Sequence, residues 1–212
     1  MTLWFPYSLF PIPYSLKMPH IALFGTSADP PSIAHREILR WLCDRYDWVA
    51  VWASDNPMKP QQTPLSHRAA MLKLMVEELR QTHLNAETPL SHNIAVEERL
   101  SSPRTLFTVE KARQIWQNAH LTLVVGSDLL TQLPHWYHVE ALLSQVQLLV
   151  IPRPGCPVSS AKIKELEGLG GQVTVADMDA PDVSSTRYRN RQDSQAIPPS
   201  VEAYIQREQL YV

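Results

Sequence analysis

Two segments of the 212-residue chain carry residue types suited to holding an anion. The first is Gly25-Thr26-Ser27-Ala28-Asp29-Pro30-Pro31-Ser32-Ile33-Ala34-His35. Its small side chains let the backbone approach a phosphate. A helix starting there would add free N–H donors and about half a positive charge. Ser32 is placed to cap that helix and to donate to a phosphoryl oxygen, with His35 one turn further on the same face. Asp29 is expected to fix the turn through hydrogen bonds to its own backbone. The second segment is Val183-Ser184-Ser185-Thr186-Arg187-Tyr188-Arg189. Three hydroxyls at a helix start, with Arg189 three residues beyond the last, form an anion cradle. Such a run alone is more often a plain helix cap. The spacing of the first segment matches neither GxGxxG nor GxxxxGK(S/T), so the dinucleotide fingerprint and the P-loop are both absent.

The flanking elements decide where these segments sit. Residues 20–25 read as a buried strand and 33–46 as an amphipathic helix with Ile38, Leu39, Leu42 and Cys43 at helical spacing. Further strands are predicted at 48–54, 93–98, 121–128, 146–155 and 172–177. Helices are predicted from Thr63-Pro64 to about 81, at 104–118, over 129–145 with a break at Pro134, at 159–169, from Ser184, and over 198–210. Several strands are apolar throughout rather than alternating, as parallel strands covered on both faces are. The order predicts an α/β fold with a doubly wound, mostly parallel sheet. Ligands of such sheets lie beyond the carboxyl ends of the strands, which is where both anion segments fall.

Composition narrows the partners. Nineteen Lys plus Arg against 21 Asp plus Glu gives a net charge of −2, which excludes a generally basic nucleic-acid coat. A polyanion must therefore be held by local positive groups. No stretch approaches the ~18 apolar residues of a membrane span, so no membrane partner is expected. Cys43 and Cys156 stand apart without metal spacing and read as core thiols of a reducing, cytoplasmic compartment. His135 and His138 are three apart, but no third ligand is in register, so no protein-held metal is expected. Residues 1–18, with four prolines in the first 19 positions and no basic start, read as a disordered or non-native extension. Residues 19–212 read as one domain. A homo-oligomer is compatible with the sequence.

Taken in order, the motifs resemble the nicotinate-mononucleotide adenylyltransferases of the HxGH nucleotidyltransferase superfamily. That family opens with G-G-T-F-D-P-x-H-x-G-H, and Gly25 to His35 occupies the place at identical length. It closes with I-S-S-T-x-I-R, where Ser184, Ser185, Thr186 and Arg189 are unchanged. Between them, Pro57 to Pro60 resembles P-H-K-P, Thr63 to Met71 resembles T-P-x-x-H-R-x-x-M, and Phe107 to Glu110 resembles Y-T-V-D. Gly126-Ser127-Asp128 resembles G-A-D, Leu133 to Trp136 resembles L-P-x-W, and Arg153-Pro154 follows the next strand. The likeness runs over about 20–212. Its departures include Ser32 for the first His, Ala34 for the Gly, Ala28 for Phe, and Met58 for His.

The resemblance implies a Rossmann-like fold and transfer of the adenylyl group of ATP to nicotinate mononucleotide in NAD biosynthesis. It implies catalytic roles for His35, Ser32, Lys59 and Arg189, with ATP held also by Gly25, Thr26, Ser27, Gly126, Asp128, Ser184 and Ser185. Trp136 would stack on the pyridine, with Thr108 near its carboxylate and Lys59 on phosphate. Magnesium would arrive with the nucleotide. The same chemistry on nicotinamide mononucleotide or pantetheine phosphate is one alternative. A nucleotide-binding protein without turnover is the other, motivated by the departures at Ser32, Ala34 and Met58.

Overall fold

The computed structural model describes residues 18–57, 59, 61–84, 93–191, 193 and 195–211. Residues 1–17, most of the expected extension, lie outside the described residues, as does Met58. The described chain forms six strands: β1 (His20–Thr26), β2 (Trp48–Ala53), β3 (Ile94–Val96), β4 (His120–Gly126), β5 (Gln147–Ile151) and β6 (Gln172–Val175). They make one sheet in the order β3-β2-β1-β4-β5-β6, every pair parallel. The helices are α1 (Ile33–Cys43), α2 (Leu65–Leu84), α3 (Thr105–Ile115), α4 (Val139–Leu143), α5 (Ser160–Gly168), α6 (Ser185–Arg189) and α7 (Pro199–Arg207).

The apolar strands are buried on both faces because the pleat sends neighbouring side chains to opposite cores. Ala22, Phe24, Val49 and Val51 enter one core, together with residues of α1, α2 and α7. Ile21, Leu23, Ala50 and Trp52 enter the other, with residues of α3 and α4. The chain leaves β1 toward β2 on one side and returns to β4 on the other. Strand order therefore reverses between β1 and β4, opening a crevice at their carboxyl ends. Gly25 is obligatory at this edge: a Cβ there would stand 2.5 Å from the Trp52 ring.

Some elements are shorter than their sequence suggests. The predicted strand at 93–98 pairs only over three residues and then turns into a 3₁₀ segment at Glu98–Leu100. The predicted helix over 129–145 resolves into a 3₁₀ turn at Leu133–His135, with Pro134 in its first turn, and the single helical turn α4. His138 between them is left-handed, at φ 48°. The break at Pro134 thus becomes a full change of direction, and it presents Trp136 and Tyr137 to the crevice. No helix of the described residues is long and apolar enough to cross a membrane. Cys43 and Cys156 are both free; burial pushes the Cys43 thiol up to about 12, which keeps it inert.

Candidate active site

The turn from β1 into α1 is held from three directions. From within, the Ser32 N–H donates to His35 Nδ1 at 3.0 Å, and the Ser32 hydroxyl lies 2.8 Å from the same nitrogen. A backbone N–H can only donate, so Nδ1 carries a lone pair and the imidazole proton sits on Nε2. That edge of the ring faces away from Ser32, and His35 lines the cleft. Burial, with the charge of Arg153 second, lowers the His35 pKa to about 3. At neutral pH the ring is an uncharged N–H donor rather than a cation.

From below, the buried Arg68 ties three backbone segments together. Its guanidinium donates to the carbonyls of Ser27 at 2.9 Å, Ser54 at 2.8 Å and Thr63 at 2.8 Å. These are the phosphate turn, the end of β2 and the entry to α2. Among the described residues no carboxylate pairs with Arg68 within 4.0 Å. Its charge lies behind the turn, near the cleft.

From the far end of the chain, α6 and the last residues close over the turn. Ser185 Oγ donates to the Pro30 carbonyl at 2.7 Å. Arg189 donates to the Asp29 carbonyl and stands 3.9 Å from its carboxylate. The Tyr211 hydroxyl donates to that carboxylate at 2.7 Å. Burial and the bond to Asp29 both raise the Tyr211 pKa, so the phenol keeps its proton. Asp29 is thus fixed by partners 160 and 182 residues away, where bonds to its own backbone were expected. Ser184 caps α6, accepting from the Arg187 N–H at 3.2 Å. Ala28 takes a left-handed conformation at φ 48° while fully buried, a strained geometry that this bracing holds.

The opposite wall comes from β4 and β5. A Cβ on Gly126 would collide with the Asp128 carboxylate and stand 2.7 Å from Arg153 Nε. Asp128 and Arg153 pair at 3.3 Å. Ser127 donates to the Cys156 carbonyl at 2.7 Å and accepts from the Arg153 N–H at 2.9 Å, locking the two loops together. Lys59 reaches across to donate to Ser27 Oγ at 3.1 Å.

The third wall is aromatic. Trp136, Tyr137, Arg104 and Thr108 line it, and the Arg104 guanidinium lies 5.6 Å from the Tyr137 ring centroid. Thr108 donates its hydroxyl to the Leu100 carbonyl at 2.8 Å, so that proton is committed to the fold.

These walls enclose a single cleft of about 1260 Å³. That exceeds the ~300–1,000 Å³ of pockets built for one small ligand, and suits two substrates side by side. All thirteen residues expected from the sequence line it: Gly25, Thr26, Ser27, Ser32, His35, Lys59, Thr108, Gly126, Asp128, Trp136, Ser184, Ser185 and Arg189. Arg68, Arg104, Arg153 and Tyr211 were not singled out from sequence as site residues. Arg68 falls within the T-P-x-x-H-R-x-x-M likeness and Arg153 within the Arg-Pro pair, without a site role in either.

The chain is similar to known proteins. The cytidylyltransferase-like family profile matches residues 23–191. A probable nicotinate-nucleotide adenylyltransferase of Synechocystis is 42% identical over 204 residues, covering 90% of this chain and 98% of that one. The nicotinate-nucleotide adenylyltransferase of Bacillus subtilis is 27% identical, with 92% and 99% covered. The Plasmodium falciparum nicotinic acid mononucleotide adenylyltransferase, solved in complex with NaAD, superposes with a TM-score of 0.75 at 18% identity, over 91% of this chain and 97% of that one. The chain belongs to the cytidylyltransferase-like family and, within it, to the nicotinate-nucleotide adenylyltransferases.

Proposed function

We propose that this chain transfers the adenylyl group of ATP to the phosphate of nicotinate mononucleotide, forming nicotinate adenine dinucleotide and pyrophosphate in NAD biosynthesis. The observation that carries this reading is one cleft at the switch point with two differently built ends. One end converges hydroxyls, N–H groups and cations from four segments; the other offers a broad aromatic wall.

A phosphate oxygen of the mononucleotide attacks the α-phosphorus of ATP. The bond from that phosphorus to the α–β bridging oxygen breaks, and its electron pair leaves with pyrophosphate. The nucleophile is already an anion, so no general base is required. Catalysis is positioning plus neutralisation of charge. His35 supplies its Nε2–H to a phosphoryl oxygen, which a neutral ring can do without drawing a proton from the reaction. Ser32 holds that ring and lies beside it. The N–H groups of Thr26 and Ser27 face the same oxygens. Lys59 and Arg189 balance charge on the phosphates as pyrophosphate departs, with Ser184 and Ser185 beside them. Gly126 and Asp128 lie against the ribose and adenine, and Trp136 stacks on the pyridine.

Among the described residues no three His, Cys, Asp or Glu side chains converge as a metal cage. The donors at the phosphate end are cations and N–H groups, a set that suits anions. Magnesium fits as an ion carried on the triphosphate, where it supplies charge neutralisation.

The test is pyrophosphate release with ATP and magnesium, comparing nicotinate mononucleotide, nicotinamide mononucleotide and phosphopantetheine. Release with the nicotinate substrate, at the highest kcat/KM, is expected. Tight ATP binding without release on any acceptor would overturn the proposal in favour of a nucleotide-binding protein.

A further inference from the structure

Four described side chains with fixed positive charge line the cleft: Lys59, Arg104, Arg153 and Arg189. Three of them are engaged around the phosphate end. Lys59 is bonded to Ser27, Arg153 is paired with Asp128, and Arg189 is bonded to Asp29. Arg104 is different. It stands at the N-cap of α3 and is exposed, with no carboxylate of the described residues within 4.0 Å. Its guanidinium lies over the Tyr137 ring, 5.6 Å from the centroid. Tyr137 follows Trp136 in the chain, and the Arg104 carbonyl accepts the Thr108 N–H at 3.3 Å. Arg104 thus lines the same cleft as Trp136 and Thr108, the two residues assigned to the acceptor ring.

We propose that Arg104 is the specificity-determining residue that selects an acidic over an amide pyridine mononucleotide. This rests on the function proposed above. A guanidinium is a planar fork of N–H donors matched to the two oxygens of a carboxylate, and the Tyr137 ring beneath Arg104 keeps it at the rim of the acceptor end. An amide offers one acceptor oxygen and turns an NH₂ donor toward donors. The fork therefore favours the acid and disfavours the amide at once, which is how specificity is built. The Thr108 hydroxyl, committed to Leu100, does not supply that selection.

The experiment compares wild type, Arg104→Ala and Arg104→Lys in the pyrophosphate assay, with nicotinate and nicotinamide mononucleotide as separate acceptors. A charge-assisted bond is worth about 10–100-fold. Arg104→Ala should raise KM for the acid by about that factor. KM for the amide should stay within about 2-fold or fall, and KM for ATP should not move. Arg104→Lys, which keeps the charge and loses the fork, should recover part of the preference. A merely structural role would raise both acceptor KM values together, and that result, or an unchanged KM for the acid, overturns the proposal. Wild type inactive on both acceptors would instead overturn the function on which it rests.

Discussion

At the phosphate end of the cleft Ser32 is 0%, Arg68 3% and His35 7% exposed, while at the acceptor end Phe107 and Tyr137 are 40% and 44% exposed. The first end is held by hydrogen bonds that draw on residues from positions 27 to 211. The second is a cluster of rings, Phe107 tilted against Tyr137 at 5.7 Å and Tyr137 edge-on to His138 at 4.2 Å, with the Arg104 guanidinium over the Tyr137 ring. The contrast follows from what each end must do. Charge developing on a phosphoryl group is stabilised only by donors already in place, since reorganising them during the reaction would consume the gain. An aromatic acceptor can be gripped by surfaces that close on it as it arrives. The phosphate end should therefore govern kcat and stability, and the acceptor end KM and selectivity.

The largest effect expected is at His35. Removing a preorganised donor costs on the order of 10²–10³ in rate, so His35→Ala should lose that factor in kcat while KM for the mononucleotide changes little. Steady-state kinetics decide it. A near-normal kcat would mean that the ring only props Ser32.

Arg68→Met comes next. It keeps the bulk and strands three carbonyls that now share one guanidinium. A cost of about 3 kcal/mol, or roughly 6–12 °C in Tm, is expected, with a fall in kcat. A melting curve that overlays wild type would show that the turn holds itself.

The pH dependence of stability gives a finer probe. Folded His35 has a pKa of about 3 against 6.5 for the free side chain. Between those values the unfolded chain binds the extra proton, so stability falls as pH drops through the window and is fully present above it. The slope from this residue is at most about 1.4 kcal/mol per pH unit. Denaturant melts from pH 7 to 3 should be steeper for wild type than for His35→Gln. Equal slopes would place the acid sensitivity elsewhere.

The smallest effect sits at the open end. Trp136→Ala should raise KM for the mononucleotide about 10-fold through lost stacking, with kcat within a few-fold of wild type. A collapse of kcat would erase the distinction between the two ends.

What the chain discloses before folding divides along the same line. The turn from Gly25 to His35 is legible because its small residues, cap and histidine are local, spaced by one helical turn. The apolar runs of β1, β2, β4 and β5 are legible because parallel strands bury both faces. Arg68 is not legible as a brace, because its partners are backbone carbonyls that any residue type supplies. The role of Tyr211, though Ile197 to Tyr211 resembles the family's V-P-x-x-V-x-x-Y-I-x-x-x-x-L-Y, is hidden for a different reason: its contact with Asp29 closes a loop of 182 residues that no local pattern encodes. The change of direction around Pro134 and His138 shows in sequence as a break but not as an angle, so the rim carrying Tyr137 beside Arg104 emerges only in three dimensions.

His35 and its neighbours position and neutralise, and the acceptor phosphate itself attacks. An imidazole whose Nδ1 accepts a backbone N–H and whose Nε2 carries the proton is a donor, not a nucleophile. The most direct measurement is the stereochemical course at the α-phosphorus, using a single diastereomer of ATP carrying sulfur on that phosphate. One direct displacement inverts the configuration of the dinucleotide product, and inversion is the result predicted. Retention would require two displacements through an adenylylated side chain, and would make a protein group rather than the acceptor phosphate the first nucleophile.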